Sequence, residues 1–285
     1  MECVLHREAQ GTLRRLVDTL TEASSVALLR FTQDPRHPLV LQALDATWTC
    51  GLMLGVKREA WTQWTLPREV MVRVDLRLLT VYLRKGRGRQ TLQWCVPEVA
   101  AGSGVYWPSP TAPEQQQVHL QWSATKALVL HDVADRSPYL DALPTQQWLR
   151  HSVSLAEFSN IILEMAVGGT QCWVRGSAQG GPWLVWTEFD TGYMEFELPG
   201  RGGGDGGDVT TLCGPFVVKW LKLLCGLTTL TDQAEVCVEP RDRETLAVHT
   251  GDAYVDLTLW VRRYLGPHGF VVPEGFQRYA CRTQV

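Results

Sequence analysis

Cysteine and histidine are the side chains that most often bind metals or act as nucleophiles, and this chain of 285 residues has eight cysteines and seven histidines. The cysteines are scattered, with no CxxC pair and no histidine beside them at zinc-ligand spacing. The histidines, among them His119, His131, His151 and His249, also lack ligand spacing. We therefore expect free, buried thiols in a reducing compartment, no bound metal and no other cofactor.

A glycine-rich segment is the second feature that could do chemistry. The residues RGGGDGGD at 201–208 could hold a phosphate between a strand and a helix, but they lack the following lysine and the serine or threonine of a P-loop. The sequence contains no GxSxG or HExxH motif and no close carboxylate pair in a recognisable setting. These observations favour a flexible surface loop and a protein without enzymatic activity. An enzyme of unknown class remains the alternative.

The composition is that of a compact protein with a substantial core. Apolar residues make up 45% of the chain and charged residues 20%. No apolar run approaches the roughly 20 residues needed to cross a bilayer, so we expect an intracellular protein that does not contact membranes. The 27 basic and 30 acidic residues give a formal charge of −3, which argues against simple electrostatic coating of nucleic acid.

Four segments place apolar residues at helical spacing, and strand-like runs lie between them. The predicted helices are GTLRRLVDTLTEAS (11–24), VDLRLLTVYLRKGR (74–87), SLAEFSNIILEMAVGG (154–169) and FVVKWLKLLCGL (216–227). In the third of these, Ser154 and Glu157 form a capping box. The order of helix, strands, helix and strands therefore occurs twice, which predicts an α+β fold made of two similar domains, each with two helices packed on antiparallel sheets.

Proline-rich stretches with little periodicity separate these units. Residues 97–117 are predicted to be a long surface excursion between strands. A second such stretch, at 132–150, is predicted to be an interdomain connecting loop. The expected domains are thus 1–131 and 151–285.

Taken in order, these segments resemble the proliferating cell nuclear antigen family of DNA sliding clamps. LRRLVDTL resembles its first helix, LVLQALDATWTCGLMLGV its strand pair around an LQAMD segment, and VDLRLLTVYLR its second helix. SLAEF resembles the S-x-E-F start of the third helix, YLDALP the end of the connecting loop, and RYLGP the C-terminal YLAP segment. The resemblance covers most of the chain apart from residues 97–117 and the last seventeen or so.

The resemblance implies a nuclear ring of three two-domain subunits, homotrimeric or heterotrimeric, that encircles double-stranded DNA. Helices would line the hole, and sheets would form the outside. Edge strands of neighbouring subunits would pair to close the ring. Such a ring is placed on DNA by a clamp loader and tethers DNA polymerase and other replication and repair proteins, which makes it a processivity factor.

The same resemblance implies that the exposed helix faces contact DNA through weak, sequence-independent phosphate contacts. The predicted DNA-binding residues are Arg14, Arg15, Arg77, Arg84, Lys85, Arg87, Arg89, Lys219 and Lys222. The third helix departs from this pattern, because Glu157, Ser159, Asn160 and Glu164 are its non-apolar positions. Its part of the hole is predicted to be neutral to acidic.

A second implied site is an apolar pocket under the connecting loop, where partner proteins would insert a short helical turn with one aliphatic and two aromatic anchors. The residues carried over to it are Leu44, Trp48, Thr49, Leu140, Leu143, Pro144, Tyr264, Leu265 and Pro267. Trp48 is larger than the side chain usual in the family, so it either fills part of the pocket or belongs to the core.

The alternative within this fold is a subunit of the heterotrimeric DNA-damage checkpoint clamp. The insertion at 97–117, the absence of an acidic tail after RYLGP and the third helix without basic residues are all compatible with it.

Overall fold

The computed structural model describes residues 2–45, 49–66, 69–85, 92–95, 117–122, 128–131, 148–177, 182–199, 201–203, 210–238 and 244–263. The chain divides into two compact units. Unit 1 comprises residues 1–143 and 250–258, and unit 2 comprises residues 144–249 and 259–285.

Unit 1 contains two helices and two antiparallel sheets. Its elements in chain order are β1 (Glu2–Leu5), α1 (Arg7–Ala23), β2 (Val26–Phe31), β3 (Leu39–Leu44), β4 (Cys50–Val56), a 3₁₀ turn (Arg58–Ala60), β5 (Trp61–Thr65), β6 (Val70–Asp75), α2 (Leu76–Lys85), β7 (Leu92–Cys95), β8 (Gln117–Trp122) and β9 (Leu128–His131). One sheet has the strand order β5-β1-β7-β8-β9, and the other contains the run β4-β3-β2-β6. Helix α1 packs against α2.

Unit 2 repeats this arrangement. Its elements are β10 (Leu149–Ser154), α3 (Leu155–Gly168), β11 (Gln171–Ser177), β12 (Trp183–Phe189), β13 (Gly192–Leu198), β14 (Arg201–Gly203), β15 (Thr210–Val217), α4 (Val218–Leu221) with a following 3₁₀ segment (Lys222–Leu227), β16 (Gln233–Val238), β17 (Thr245–Gly251) and β18 (Val255–Arg262). The strand orders are β14-β10-β16-β17-β18 and β13-β12-β11-β15. Helix α3 packs against α4 and the 3₁₀ segment.

The two lists match element for element, so β1 corresponds to β10, β4 to β13 and β9 to β18. Each unit has a five-strand order and a four-strand order built from corresponding strands. The structure thus confirms the predicted α+β fold with two similar halves of two helices each. Because the halves share almost no residue identity, the common element must be the pattern of buried positions rather than particular side chains.

The apolar stripes predicted for the helices are the faces that the helices bury. Residues at helical spacing lie on one side, and that side packs into the unit. The predicted stripe residues that are buried are Leu13, Leu16, Val17, Leu20, Leu76, Leu79, Leu83, Leu155, Phe158, Ile162, Met165, Trp220, Leu221 and Leu224. Val217, also predicted for the fourth helix, instead ends β15.

Side-chain oxygens cap two of the helices. Asp75 Oδ1 accepts hydrogen bonds from the backbone N–H of Arg77 at 2.8 Å and of Leu78 at 3.0 Å, so α2 begins there. The Ser154 hydroxyl accepts from the Glu157 N–H at 3.5 Å, which is the N-cap half of the predicted capping box. Each cap follows directly on a strand, and it fixes where the exposed face of the helix begins.

A late segment of the chain completes unit 1. Residues 255–258 of β18 lie beside the outer edge of β4. Asp256 fixes them there, because its carboxylate lies 2.9 Å from Lys57 Nζ and 2.8 Å from His37 Nε2. The Lys57 N–H also donates to the Tyr254 carbonyl at 2.8 Å.

Several boundaries differ from the prediction. Helix α1 begins at Arg7 rather than Gly11, and β1 and β6 precede helices where no strand was predicted. Residues 201–203 of the predicted glycine-rich loop form β14, which pairs with β10. Strand β10 begins at Leu149, inside the stretch assigned to the connecting loop. Strands β1 and β14 are only four and three residues long and show no period of their own, whereas β6 (VMVRVD) alternates and was missed despite its period.

Candidate nucleic-acid interface

Helix α1 places two predicted DNA-binding residues in solvent. Leu13 and Leu16 are buried, and the intervening Arg14 and Arg15 are exposed on the other side of the helix. Three acidic residues, Glu8, Asp18 and Glu22, accompany the three arginines of this helix, which include Arg7. Its charged groups therefore balance, and α1 alone has no excess of positive charge.

Helix α2 carries an excess of positive charge. Arg77, Arg84 and Lys85 are all exposed, and the helix has no acidic residue. Arg84 Nη2 lies 3.1 Å from Asp18 Oδ2, which links α2 to α1. Both groups are partly solvated, so solvent screens the pair and it contributes little to stability. Arg87 and Arg89, predicted to continue this surface, lie outside the described residues.

Two apolar side chains lie among these cations. Leu78 is 58% exposed and Val81 is 53% exposed. Leu78 is one residue after Arg77 and Val81 is four residues after it, so both lie on the outward side of the helix. The outer face of α2 is therefore positively charged at both ends and apolar between them.

Unit 2 presents a different surface on the corresponding helices. On α3, Glu157, Asn160 and Glu164 are exposed as predicted, together with the apolar Leu163 and Val167. The prediction was wrong for Ser159, which is buried. The Ser159 carbonyl accepts from Cys225 Sγ in the 3₁₀ segment at 3.7 Å, because this position faces the helix that packs on α3.

The last two predicted DNA-binding residues described by the structure are Lys219 and Lys222. Both are exposed, and Lys219 Nζ lies 4.1 Å from the centre of the Trp220 ring in a cation–π contact. These two lysines are matched by the two glutamates of α3. By contrast, α1 and α2 together carry six basic and three acidic residues. The positive surface among the described helices is thus concentrated on α2.

Of the residues predicted to line the partner pocket, the structure describes only Leu44 and Thr49. Leu44 ends β3 and is half-buried, and Thr49 donates a hydrogen bond to Asp45 Oδ2 at 3.3 Å. The Asp45 carboxylate also accepts from the Cys50 N–H at 2.6 Å, which ties the residue after β3 to the first residue of β4. The remaining predicted pocket residues lie outside the described residues; they are Trp48, Leu140, Leu143, Pro144, Tyr264, Leu265 and Pro267.

The described cysteines have structural environments. Cys3, Cys50, Cys172, Cys213 and Cys237 are buried thiols that form no disulfide. Burial raises the pKa of Cys172 and of Cys237 to about 12, so both thiols stay protonated at neutral pH. Across the part of the chain that the structure describes, no group of three or more histidine, cysteine or acidic side chains is placed to bind a metal. Nor is any described helix long and apolar enough to cross a membrane.

Comparison with known proteins finds similarity in structure only. No family model matches the sequence, and no curated protein matches it. A PCNA2-PCNA3 complex from Sulfolobus tokodaii has a chain with a TM-score of 0.65 and 14% identity, covering 92% of this chain and 98% of that one. Proliferating cellular nuclear antigen from Entamoeba histolytica has a TM-score of 0.66 and 15% identity, with coverage of 92% and 98%.

A third solved structure extends the comparison to a complex. The A. fulgidus protein bound to the C-terminal region of FEN-1 has a TM-score of 0.67 and 11% identity, covering 96% of this chain and 99% of that one. At such low identity the agreement concerns the fold. The chain therefore has the fold of the proliferating cell nuclear antigen clamps, as the order of its sequence segments predicted.

Proposed function

We propose, from the sliding-clamp fold of this chain, that it is one subunit of a ring that encircles duplex DNA and has no catalytic activity. The observation that supports this most directly is the outer face of α2, where Arg77, Arg84 and Lys85 are exposed with no acidic residue on the helix. In a clamp the helices face the hole, so these cations would meet the phosphates.

The energetics suit a sliding contact. A closed ring is held by its topology and needs little affinity, and phosphates present the same charge at every step of the duplex. Three cations on one helix, of which Arg84 is paired with Asp18, supply a weak, salt-sensitive attraction. Arg14, Arg15, Lys219 and Lys222 would add contacts that the neighbouring glutamates and aspartate reduce. Arg87 and Arg89 would extend the α2 surface.

The ring would tether other proteins through the predicted pocket. The A. fulgidus protein binds a C-terminal region of FEN-1, and we extend this mode of binding to the present chain. Leu44 and Thr49 would form the base of the pocket beside Trp48. Leu140, Leu143, Pro144, Tyr264, Leu265 and Pro267 would form the remaining walls. The expected occupants are short peptides of DNA polymerase and of other replication and repair proteins.

Within this function we favour a nuclear processivity factor placed on DNA by a clamp loader. A subunit of a heterotrimeric checkpoint clamp is the second candidate. One observation supports the checkpoint subunit: the helix pairs of the two units differ in charge. A subunit of a mixed ring can leave part of the DNA contact to its neighbours.

Encirclement can be tested directly. The purified chain is first sized by light scattering, then loaded on nicked circular duplex DNA, and half of the sample is linearised. A clamp stays on circles and slides off free ends. Equal retention on circular and linear DNA would contradict encirclement. A matched pair of variants, Arg77→Gln/Lys85→Gln and Glu157→Gln/Glu164→Gln, separates phosphate contact on α2 from general changes of charge.

A further inference from the structure

Helix α3 exposes an apolar strip beside a strip of carboxylates. Val167 is 90% exposed and Leu163 is 46% exposed, although both side chains are apolar. Glu157 and Glu164 are exposed next to them, and no ion pair of the described residues includes either carboxylate. Single exposed apolar residues are common, but two of them beside a row of like charges indicate a surface for another molecule. We name these four residues the α3 face.

Helix α2 exposes the same two kinds of strip with the opposite charge. Its cations are Arg77 and Arg84, and its apolar residues are Leu78 and Val81; we name these four the α2 face. The two cations are seven residues apart in the sequence, and so are the two glutamates of the α3 face. Seven residues make about two helical turns, or roughly 10.5 Å, so the charges of the two faces have the same spacing.

The apolar strip lies on opposite sides of the charged strip in the two helices. On α2, Leu78 is one residue after Arg77, which places it about 100° onward around the helix axis. On α3, Leu163 is one residue before Glu164, which places it about 100° backward. On each face the valine lies on the same side as the leucine. The two faces therefore have opposite hands as well as opposite charges.

Faces of opposite hand fit each other when the two helices run parallel. Two faces laid together are viewed from opposite sides, so the onward side of one parallel helix meets the backward side of the other. Arg77 then lies opposite Glu157, Arg84 lies opposite Glu164, and the apolar strips meet between the helices. In antiparallel packing each charged strip would meet an apolar strip. Like charges disfavour α2 against α2 and α3 against α3.

We infer that the α2 face of one copy of this chain binds the α3 face of a second copy, with the two helices parallel. The chain itself contains both members of the complementary pair, which is the reason to assign a second copy as the occupant. This inference rests on the proposed function, because α2 is also the surface proposed to meet DNA. A subunit in a closed ring would turn both faces to the hole. The pairing therefore belongs to subunits outside a ring, and duplex DNA competes with it.

The contact is weak and sensitive to salt. Exposed ion pairs contribute little, and Arg84 already lies 3.1 Å from Asp18 Oδ2 of its own chain. One pair of helices also buries less area than a standard protein interface. We expect a dissociation constant on the order of 10–100 µM at low ionic strength and monomers at high ionic strength. Because α2 binds α3 and neither binds itself, the contact can continue from copy to copy.

Charge exchange tests the pairing. Sedimentation velocity at low salt should show dimers and longer chains of the original protein. Arg77→Glu/Arg84→Glu and Glu157→Arg/Glu164→Arg should each weaken association about tenfold, because each makes the two faces alike in charge. An equimolar mixture of the two variants should restore association, since each then meets a complementary face. Thermal melts of both variants show whether they fold as the original does.

A milder exchange keeps the ion pair between Arg84 and Asp18. Arg77→Glu and Glu157→Lys should each associate more weakly than the original, and their mixture should recover. Glu59→Lys is the matched control, because it makes the same change of charge on the exposed 3₁₀ turn. It should associate as the original does.

Duplex DNA gives a second readout. Saturating DNA should dissociate the associated copies, because phosphates then occupy the cations of the α2 face. An original chain that stays monomeric at about 100 µM and low salt would overturn the inference, and so would association that survives either double reversal or saturating DNA. Salt-resistant trimers as the only assembly would overturn it and leave the ring intact. If association behaves as expected but the chain fails to bind duplex DNA in a separate titration, the clamp function fails and the pairing does not.

Discussion

The helix pair of unit 1 and the helix pair of unit 2 have the same buried pattern and different outer faces. Leu13 and Phe158 occupy buried positions on corresponding helices, although α2 is basic outside and α3 is acidic and apolar outside. Packing constrains the inward positions because a change of one methylene there is felt, whereas outward positions can change at little cost to stability. The repeat therefore preserves the buried scaffold, and the two halves differ on the outer helix faces, where the proposed DNA contacts lie.

The comparison of the two helix pairs depends first on their buried stripes being equivalent. Phe158→Ala should lower the free energy of unfolding by about 3–5 kcal/mol, and Leu16→Ala by about 2–5 kcal/mol, because each leaves a cavity under a helix. Urea titrations followed by circular dichroism would measure both. A loss below about 1 kcal/mol in either variant would show that the helix does not bury that residue.

Reversing charge on α2 should have the largest effect on DNA. Arg77→Glu/Lys85→Glu is expected to weaken binding of duplex DNA about tenfold at low salt and to flatten its salt dependence, since two phosphate contacts become repulsive. Lys219→Glu/Lys222→Glu is the matched control and should have a smaller effect. Fluorescence anisotropy over a salt series gives both quantities. Equal losses from the two pairs would remove the distinction between the units.

A glycine within α1 offers a stabilising change. Gly11 lies inside the helix, and a Cβ there would have no atom within 4 Å. Gly11→Ala should therefore raise stability by about 0.5–1 kcal/mol, because alanine restricts the unfolded chain and favours helix. Gly169→Ala, at the end of α3, is the contrasting variant, since its Cβ would collide with the Thr187 hydroxyl. Thermal melts should shift in opposite directions.

Removing the carboxylates of α3 tests the difference between the two helix pairs in unit 2. Glu157→Gln/Glu164→Gln should raise the affinity for duplex DNA about two- to threefold at low salt, because Lys219 and Lys222 are then no longer offset. The same anisotropy measurement applies. Unchanged affinity would mean that the α3 and α4 surface does not approach the DNA.

A pH effect is expected in unit 2 through His151. Burial lowers the pKa of His151 below its usual 6.5, and its Nε2 lies 3.1 Å from the Leu198 carbonyl. The unfolded chain therefore takes up a proton before the folded chain does, and stability falls as the pH drops below about 6.5. His151→Phe keeps an aromatic ring beside Trp183 and should flatten this dependence. Denaturation at a series of pH values would show it, and an unchanged slope would exclude His151 as its source.

Much of the fold was predictable because apolar residues that recur at helical spacing lie on one face of a helix, and that face is the one that the helix buries. The stripes of α1, α2 and α3 and the exposure of Arg14, Arg77 and Lys222 followed from spacing alone. Strands β1 and β14 were missed because four and three residues are too few to show alternation. The burial of Ser159 depends on which helix packs on α3. The place of β13 at the edge of its sheet depends on strand order, which no local pattern encodes.

The ion pairs around Asp256 have a consequence for how the protein is made. Residues 255–258 finish the sheet edge of a unit whose other strands all lie before residue 132. During synthesis that unit must wait, with β4 uncovered, until nearly the whole polypeptide has left the ribosome. The half of the molecule that is translated first is thus completed only when the other half is nearly complete, and in the interval it exposes a strand that invites misassembly.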